Sequence, residues 1–177
     1  MKDIPNYDYV KRYIPNPQVR DVADQFCDAA ELLWAQPGVV VPQIINSVLA
    51  IELYLKSLIA YSVIKDMQYY GRASGGIVTV ERVKSGKTGH ELTDLYDLAD
   101  DWIKGEFESK YGESSIYKSI TDFRGCLGAY DSAFVKVRYL YEDSSYFERL
   151  NSGELRELMK LIRTTVGLLP RKTVVFK

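Results

Sequence analysis

Leu49-Ala50-Ile51-Glu52-Leu53-Tyr54-Leu55-Lys56-Ser57-Leu58 is the stretch on which the fold turns. Its apolar residues nearly encircle a helix, the pattern of an element buried on more than one side. Two charges stand inside that pattern. Taking Glu52 as reference and turning about 100° per residue, Ile45, Val48, Leu49, Leu55, Ile59 and Val63 fall within about 60° of it, and Lys56 shares the sector. Glu first and Lys four residues later is the favourable order for a helical pair. A pair in a core needs further polar partners, because stranding one member costs about 3–5 kcal/mol. The candidates are His90, at a helix start, and Arg138 with Tyr139 or Glu142. Such a network either fixes the register of a bundle or forms a functional site.

Working outward, the spacing predicts five helices. The first covers about Pro17 to Gln36, with Val19, Val22, Phe26, Ala29 and Leu33 on one face and Pro37-Gly38 as its stop. The second, containing the quoted stretch, runs from near Pro42 to about Met67. The third opens at Thr88-Gly89-His90-Glu91, a capping-box pattern, and carries Leu92, Leu95, Ala99 and Trp102, with Gly105 and Gly112 expected to break or kink it. The fourth follows the seam Ile116, Ile120, Phe123, Leu127, Tyr130, Phe134, Val137 and Tyr141, a coiled-coil-like repeat flanked by Gly125, Gly128, Ala129, Ser132 and Ala133. The fifth starts at Asn151 or Ser152 and presents Leu155, Leu158, Met159, Ile162 and Val166 until Gly167 and Pro170. Between the second and third, the β-branched run Ile77 to Val83 amid glycines reads as a strand or hairpin arm. The expected fold is one all-α, up-and-down bundle spanning 1–177, with its core at about 17–169 and a β-hairpin-like insertion at about 69–87.

Composition limits the functions available. The 177 residues are 46% apolar and 27% charged, with 23 Lys and Arg against 24 Asp and Glu. A net charge of −1 excludes binding nucleic acid by bulk charge alone, although Arg72, Arg82, Lys84 and Lys87 form a local basic excess. The start, MKDIPNYDYV, lacks the apolar run of a signal peptide. Val39 to Ile64 is long enough to span a bilayer, but Pro42, Gln43, Asn46, Glu52 and Lys56 argue against insertion. The chain therefore reads as soluble and cytoplasmic.

Motifs for common chemistries are missing. Ser85-Gly86-Lys87-Thr88 resembles the end of a phosphate-binding loop, but Glu81 stands where that loop needs glycine. With one histidine, and Cys27 far from Cys126, no metal site or cofactor is expected. Both cysteines read as small buried hydrophobes. A Ser-His-Asp triad would have to use His90, and no Gly-x-Ser-x-Gly elbow occurs. Asp100-Asp101 and Glu106-x-Glu108 read as a solvated helix face.

Three segments, in order, carry a resemblance: Leu49 to Leu58, then Gly89-His90-Glu91-Leu92-x-x-Leu95-Tyr96, then Phe134-x-x-x-Arg138-Tyr139-x-Tyr141-Glu142. Together, over about Gln18 to Leu169, they resemble the HEPN superfamily of helical domains. The resemblance implies a bundle of four or five helices, usually a homodimer. It also implies kinship with metal-independent RNases of toxin–antitoxin, CRISPR and other defence systems. Those enzymes use an Arg-x(4–6)-His motif, in which Arg steadies phosphate and His does acid–base work. The matching arginine is Arg138, yet Asp143, Ser144 and Ser145 occupy the histidine positions. The expectation is a catalytically degenerate binding or accessory protein, a homodimer with RNA, a nucleotide or a partner protein as its ligand. The alternatives are an RNase with a non-standard His90/Arg138 site and a purely structural interaction bundle.

Overall fold

The computed structural model describes residues 9–70, 76–85, 89–114, 120–138 and 150–176. The protein is mostly helical with a small four-stranded antiparallel sheet. The chain begins with β1 (Tyr9–Ile14), α1 (Pro17–Trp34), α2 (Val40–Ile59), β2 (Tyr61–Tyr70) and β3 (Gly76–Lys84). It continues with α3 (Leu92–Asp97), α4 (Asp101–Glu113), α5 (Phe123–Gly128), α6 (Ala133–Arg138), α7 (Ser152–Leu168) and β4 (Lys172–Phe176). The strand order is β3-β2-β1-β4.

As its composition predicts, α2 is the central element. Ile44, Val48, Ile51, Tyr54, Leu55 and Leu58 are all buried, and α1, α3, α6, α7 and β1 pack around it. It ends at Ile59, however, short of the predicted Met67. Tyr61 to Val63, the last of them a member of the predicted apolar stripe, instead pair with β3, and Ser62 and Val63 pair with β1 as well. Aromatic and β-branched residues take the strand once partners are in place. The helix end is closed by distant groups. The Asn16 amide donates to the Ser57 carbonyl at 2.7 Å, and Arg12 donates to the Leu58 carbonyl through Nε at 3.3 Å and Nη2 at 2.8 Å. Carbonyls left without intrahelical donors are thereby satisfied.

The sheet is larger than the hairpin-like insertion at 69–87. Its hairpin arms extend back to Tyr61, and β1 and β4 lie outside the 17–169 core read from the sequence. β4 pairs with β1 from Val10↔Phe176 to Ile14↔Lys172, and Lys172 Nζ sits 3.7 Å from the Trp102 ring centroid. Neither strand carries strong local alternation; β1 is held between β2 and β4, and among the described strands β4 pairs with β1 alone.

The third and fourth predicted helices each divide in two. The chain breaks at Leu98-Ala99-Asp100, not at Gly105 or Gly112, which α4 passes through. α3 starts after Glu91, which occupies the N-cap position without a side-chain cap, while Thr88 lies outside the described residues. The missing cap comes from elsewhere: Asp131 accepts from the Thr93 amide at 2.8 Å and from its hydroxyl at 2.6 Å. Asp131 belongs to the turn at 129–132 that separates α5 from α6, so the long predicted seam is interrupted there. Phe123, Leu127, Tyr130 and Val137 remain buried, while Ile116 and Tyr141 lie outside the described residues. α1 and α7 match their predicted starts, capped by Asn16 and Asn151.

Replacing Asp131 with Ala is expected to lower unfolding free energy by about 1–2 kcal/mol, the scale of a lost N-cap. Urea titration measures it. An undiminished midpoint would mean that the apolar face of α3 holds the helix by itself.

Candidate functional site

Glu52 lies in the C-terminal half of α2 with its side chain 4% exposed, and Lys56 follows one turn later at 15%. Lys56 Nζ donates to Glu52 Oε1 at 2.6 Å. His90, in the segment entering α3, places Nδ1 3.0 Å from Glu52 Oε1 and 3.0 Å from Oε2. The structure thus brings Glu52, Lys56 and His90 together around one carboxylate. The imidazole stays half-exposed, with 51% of its side chain open to solvent, and packs at 5.1 Å between ring centroids against Phe134 of α6.

The remaining residues of the predicted cluster are placed less fully. Arg138 ends α6, one turn beyond Phe134, and its side chain lies outside the described residues, as do Tyr139 and Glu142 entirely. The sequence presents Phe134 as a seam residue and as the first residue of the third resemblance segment, not as a partner of His90. Its contact with the His90 ring comes from the fold.

The opposite side of α2 carries a polar cluster that sequence reasoning missed. Tyr54 is two positions, or about 200°, from Glu52. Its hydroxyl donates to Asp24 Oδ1 at 2.6 Å. Arg163 of α7 contacts the same carboxylate through Nε at 3.2 Å and Asp28 through Nη1 at 2.7 Å. Arg163 Nη1 also lies 3.5 Å from Cys27 Sγ. Burial, more than any other influence, raises the Cys27 thiol above its ordinary pKa. Burial also raises the Tyr54 phenol strongly, with the hydrogen bond to Asp24 next. Both groups stay protonated at neutral pH, so this cluster supplies packing and polar closure, not a nucleophile.

The acidic helix face is partly structural. Glu108 accepts from the Tyr96 hydroxyl at 3.2 Å and from the Phe123 amide at 3.1 Å, and Asp100 pairs with Arg12 at 3.1 Å. Only Asp101 and Glu106 fit the solvated reading without such a tether to another element. Among the described residues, no three His, Cys, Asp or Glu gather in metal-binding geometry. No helix among them is long and apolar enough to cross a membrane. Gly86, Lys87 and Thr88 of the phosphate-loop-like segment lie outside the described residues.

No family model matches the chain, nor does any curated protein or solved structure. The site must therefore be read from its own chemistry. A carboxylate bridging an ammonium and an imidazole can hold the ring in one orientation, keep a charge buried, and offer the outer ring edge to a ligand.

Replacing Lys56 with Met leaves the buried Glu52 carboxylate with His90 as its side-chain partner. The expected loss is about 3 kcal/mol, the lower end for breaking a buried pair. Changing Glu52 to Leu together with Lys56 to Met removes both charges and should cost much less. Equal losses in guanidinium titrations of the single and double variants would overturn the buried-pair account.

Proposed function

We propose that this chain is a HEPN-like binding or accessory protein, catalytically degenerate and linked to RNA, a nucleotide or a toxin–antitoxin or defence partner. The observation that carries the reading is the Glu52–Lys56–His90 cluster, buried at its carboxylate and open at its imidazole. It joins two of the segments on which the resemblance rests, and Phe134 of the third packs against it. The absent Arg-x(4–6)-His motif argues for binding over cleavage. Arg138 suits phosphate recognition, since a guanidinium stays charged and presents a fork of donors. We further propose a homodimer, following the family resemblance, with a cytoplasmic location.

A second reading, an RNase using His90 and Arg138, is favoured by one contact. Glu52 behind His90 is the arrangement that orients an imidazole for acid–base work. Incubation with total RNA separates the two. The expected result is no cleavage above background, with RNA retained in gel-shift assays and released by His90→Ala or Arg138→Ala. Cleavage that either substitution abolishes would establish the enzyme instead. Failure of the wild-type protein to retain RNA or a nucleotide would leave the structural-bundle alternative.

Sedimentation equilibrium at tens of micromolar should return twice the mass of the 20.2 kDa chain. A monomer would remove the two-fold assembly from this proposal.

A further inference from the structure

A neutral imidazole has one nitrogen that donates and one that accepts, and a neighbouring group decides which is which. Nδ1 of His90 lies at hydrogen-bonding distance from both oxygens of Glu52, and an ionised carboxylate only accepts. Lys56 also donates to Oε1, at 2.6 Å, which fixes the orientation of the carboxylate. Phe134 packs against the ring and limits its rotation. Nδ1 therefore has to carry the proton in the neutral ring. Among the described residues, only Nδ1 of that ring has a hydrogen-bond partner, and half of the side chain faces solvent.

We propose that Glu52 is a positioning residue that holds His90 as the Nδ1–H tautomer, so that bare Nε2 becomes a hydrogen-bond acceptor for a hydroxyl-bearing ligand. The tautomer follows from Glu52 alone. The ligand class rests on the RNA- or nucleotide-linked reading above, since a ribose presents such a hydroxyl beside phosphate. Glu52 acts through His90 and touches no ligand. Its burial strengthens the hold, because a charge-assisted bond in a low-dielectric setting is harder to exchange for water.

His90 is the only histidine, so proton–nitrogen correlation spectra of the imidazole report this ring without assignment ambiguity. Above the pH at which the ring loses its extra proton, wild-type protein should show a protonated Nδ1 and a bare Nε2. The expected preference is about tenfold or more, the ratio that a hydrogen bond to a charged group supports. The Glu52→Leu, Lys56→Met double variant, checked for folding by circular dichroism, should lose that preference. So should Glu52→Gln in part, since its amide accepts more weakly than a carboxylate. A protonated Nε2 in the wild type, or a preference unchanged in the double variant, overturns the positioning role.

Adenosine monophosphate then tests the ligand, with inorganic phosphate in parallel. Movement of the Nε2 resonance with the nucleotide but not with phosphate supports the hydroxyl contact. An Nε2 that neither probe moves overturns the ligand class, even where the tautomer is as proposed. If the nucleotide shifts backbone amides elsewhere while Nε2 stays protonated, this inference fails and the binding reading survives. The two failures are thus distinguishable.

Discussion

Burying α2 on several sides obliges every polar group along it to find a partner inside the protein, because an unpaired one costs about 1–3 kcal/mol or more. The solutions to that constraint position much of the molecule. Gln43 reaches the Leu33 carbonyl at 2.7 Å and so fixes the turn from α1. Ser47 and Ser57 bond back to carbonyls of α2 itself, at Gln43 and Tyr54. Tyr54 recruits Asp24 and, through it, Arg163, so α1 and α7 are held against the same helix. Glu52 recruits His90 and thereby the entry to α3. At the C-terminal end, Arg12 and the Asn16 amide bring in β1. The candidate site is one of these solutions, distinguished by having a partner that remains half in water.

That distinction separates it from the surface electrostatics. α1 and α7 face each other through Glu31–Arg156 at 2.6 Å and Asp28–Arg163 at 2.7 Å, all with side chains partly exposed. Such pairs contribute little each, since water screens them and long side chains lose freedom. They select the pairing of two helices more than they stabilise it. The Glu52 carboxylate is different in kind, because its charge is removed from water and must be answered locally. The Arg124–Asp97 bridge, at 2.8 Å between exposed groups, belongs with the surface pairs despite its bidentate geometry.

The turn at 129–132 illustrates how local pattern and tertiary demand compete. The apolar repeat through Phe123, Leu127, Tyr130, Phe134 and Val137 is continuous, and those residues still face inward. Gly125, Gly128, Asp131 and Ser132 weaken the helix along the same run. Asp131 then contributes more as a cap for α3 than as a member of a longer helix. The exchange keeps the core face and changes the backbone, a difference that periodicity cannot register.

Read from the sequence alone, α1, α2 and α7 were determined in existence and in most of their bounds, because helix periodicity, the Pro37-Gly38 stop and the start at Asn151 or Ser152 are local signals. The anomaly of Glu52 and Lys56 was legible for the same reason: both positions lie on one short stretch, and the helical repeat places them without reference to anything distant. His90 could be proposed as their partner only because polar candidates were few. The end of α2 at Ile59, the pairing of β1 with β4 and the capping of α3 by Asp131 were decided by the tertiary structure. Each depends on a hydrogen-bond partner remote in sequence, and a chain read residue by residue carries no record of which distant donor will meet which acceptor.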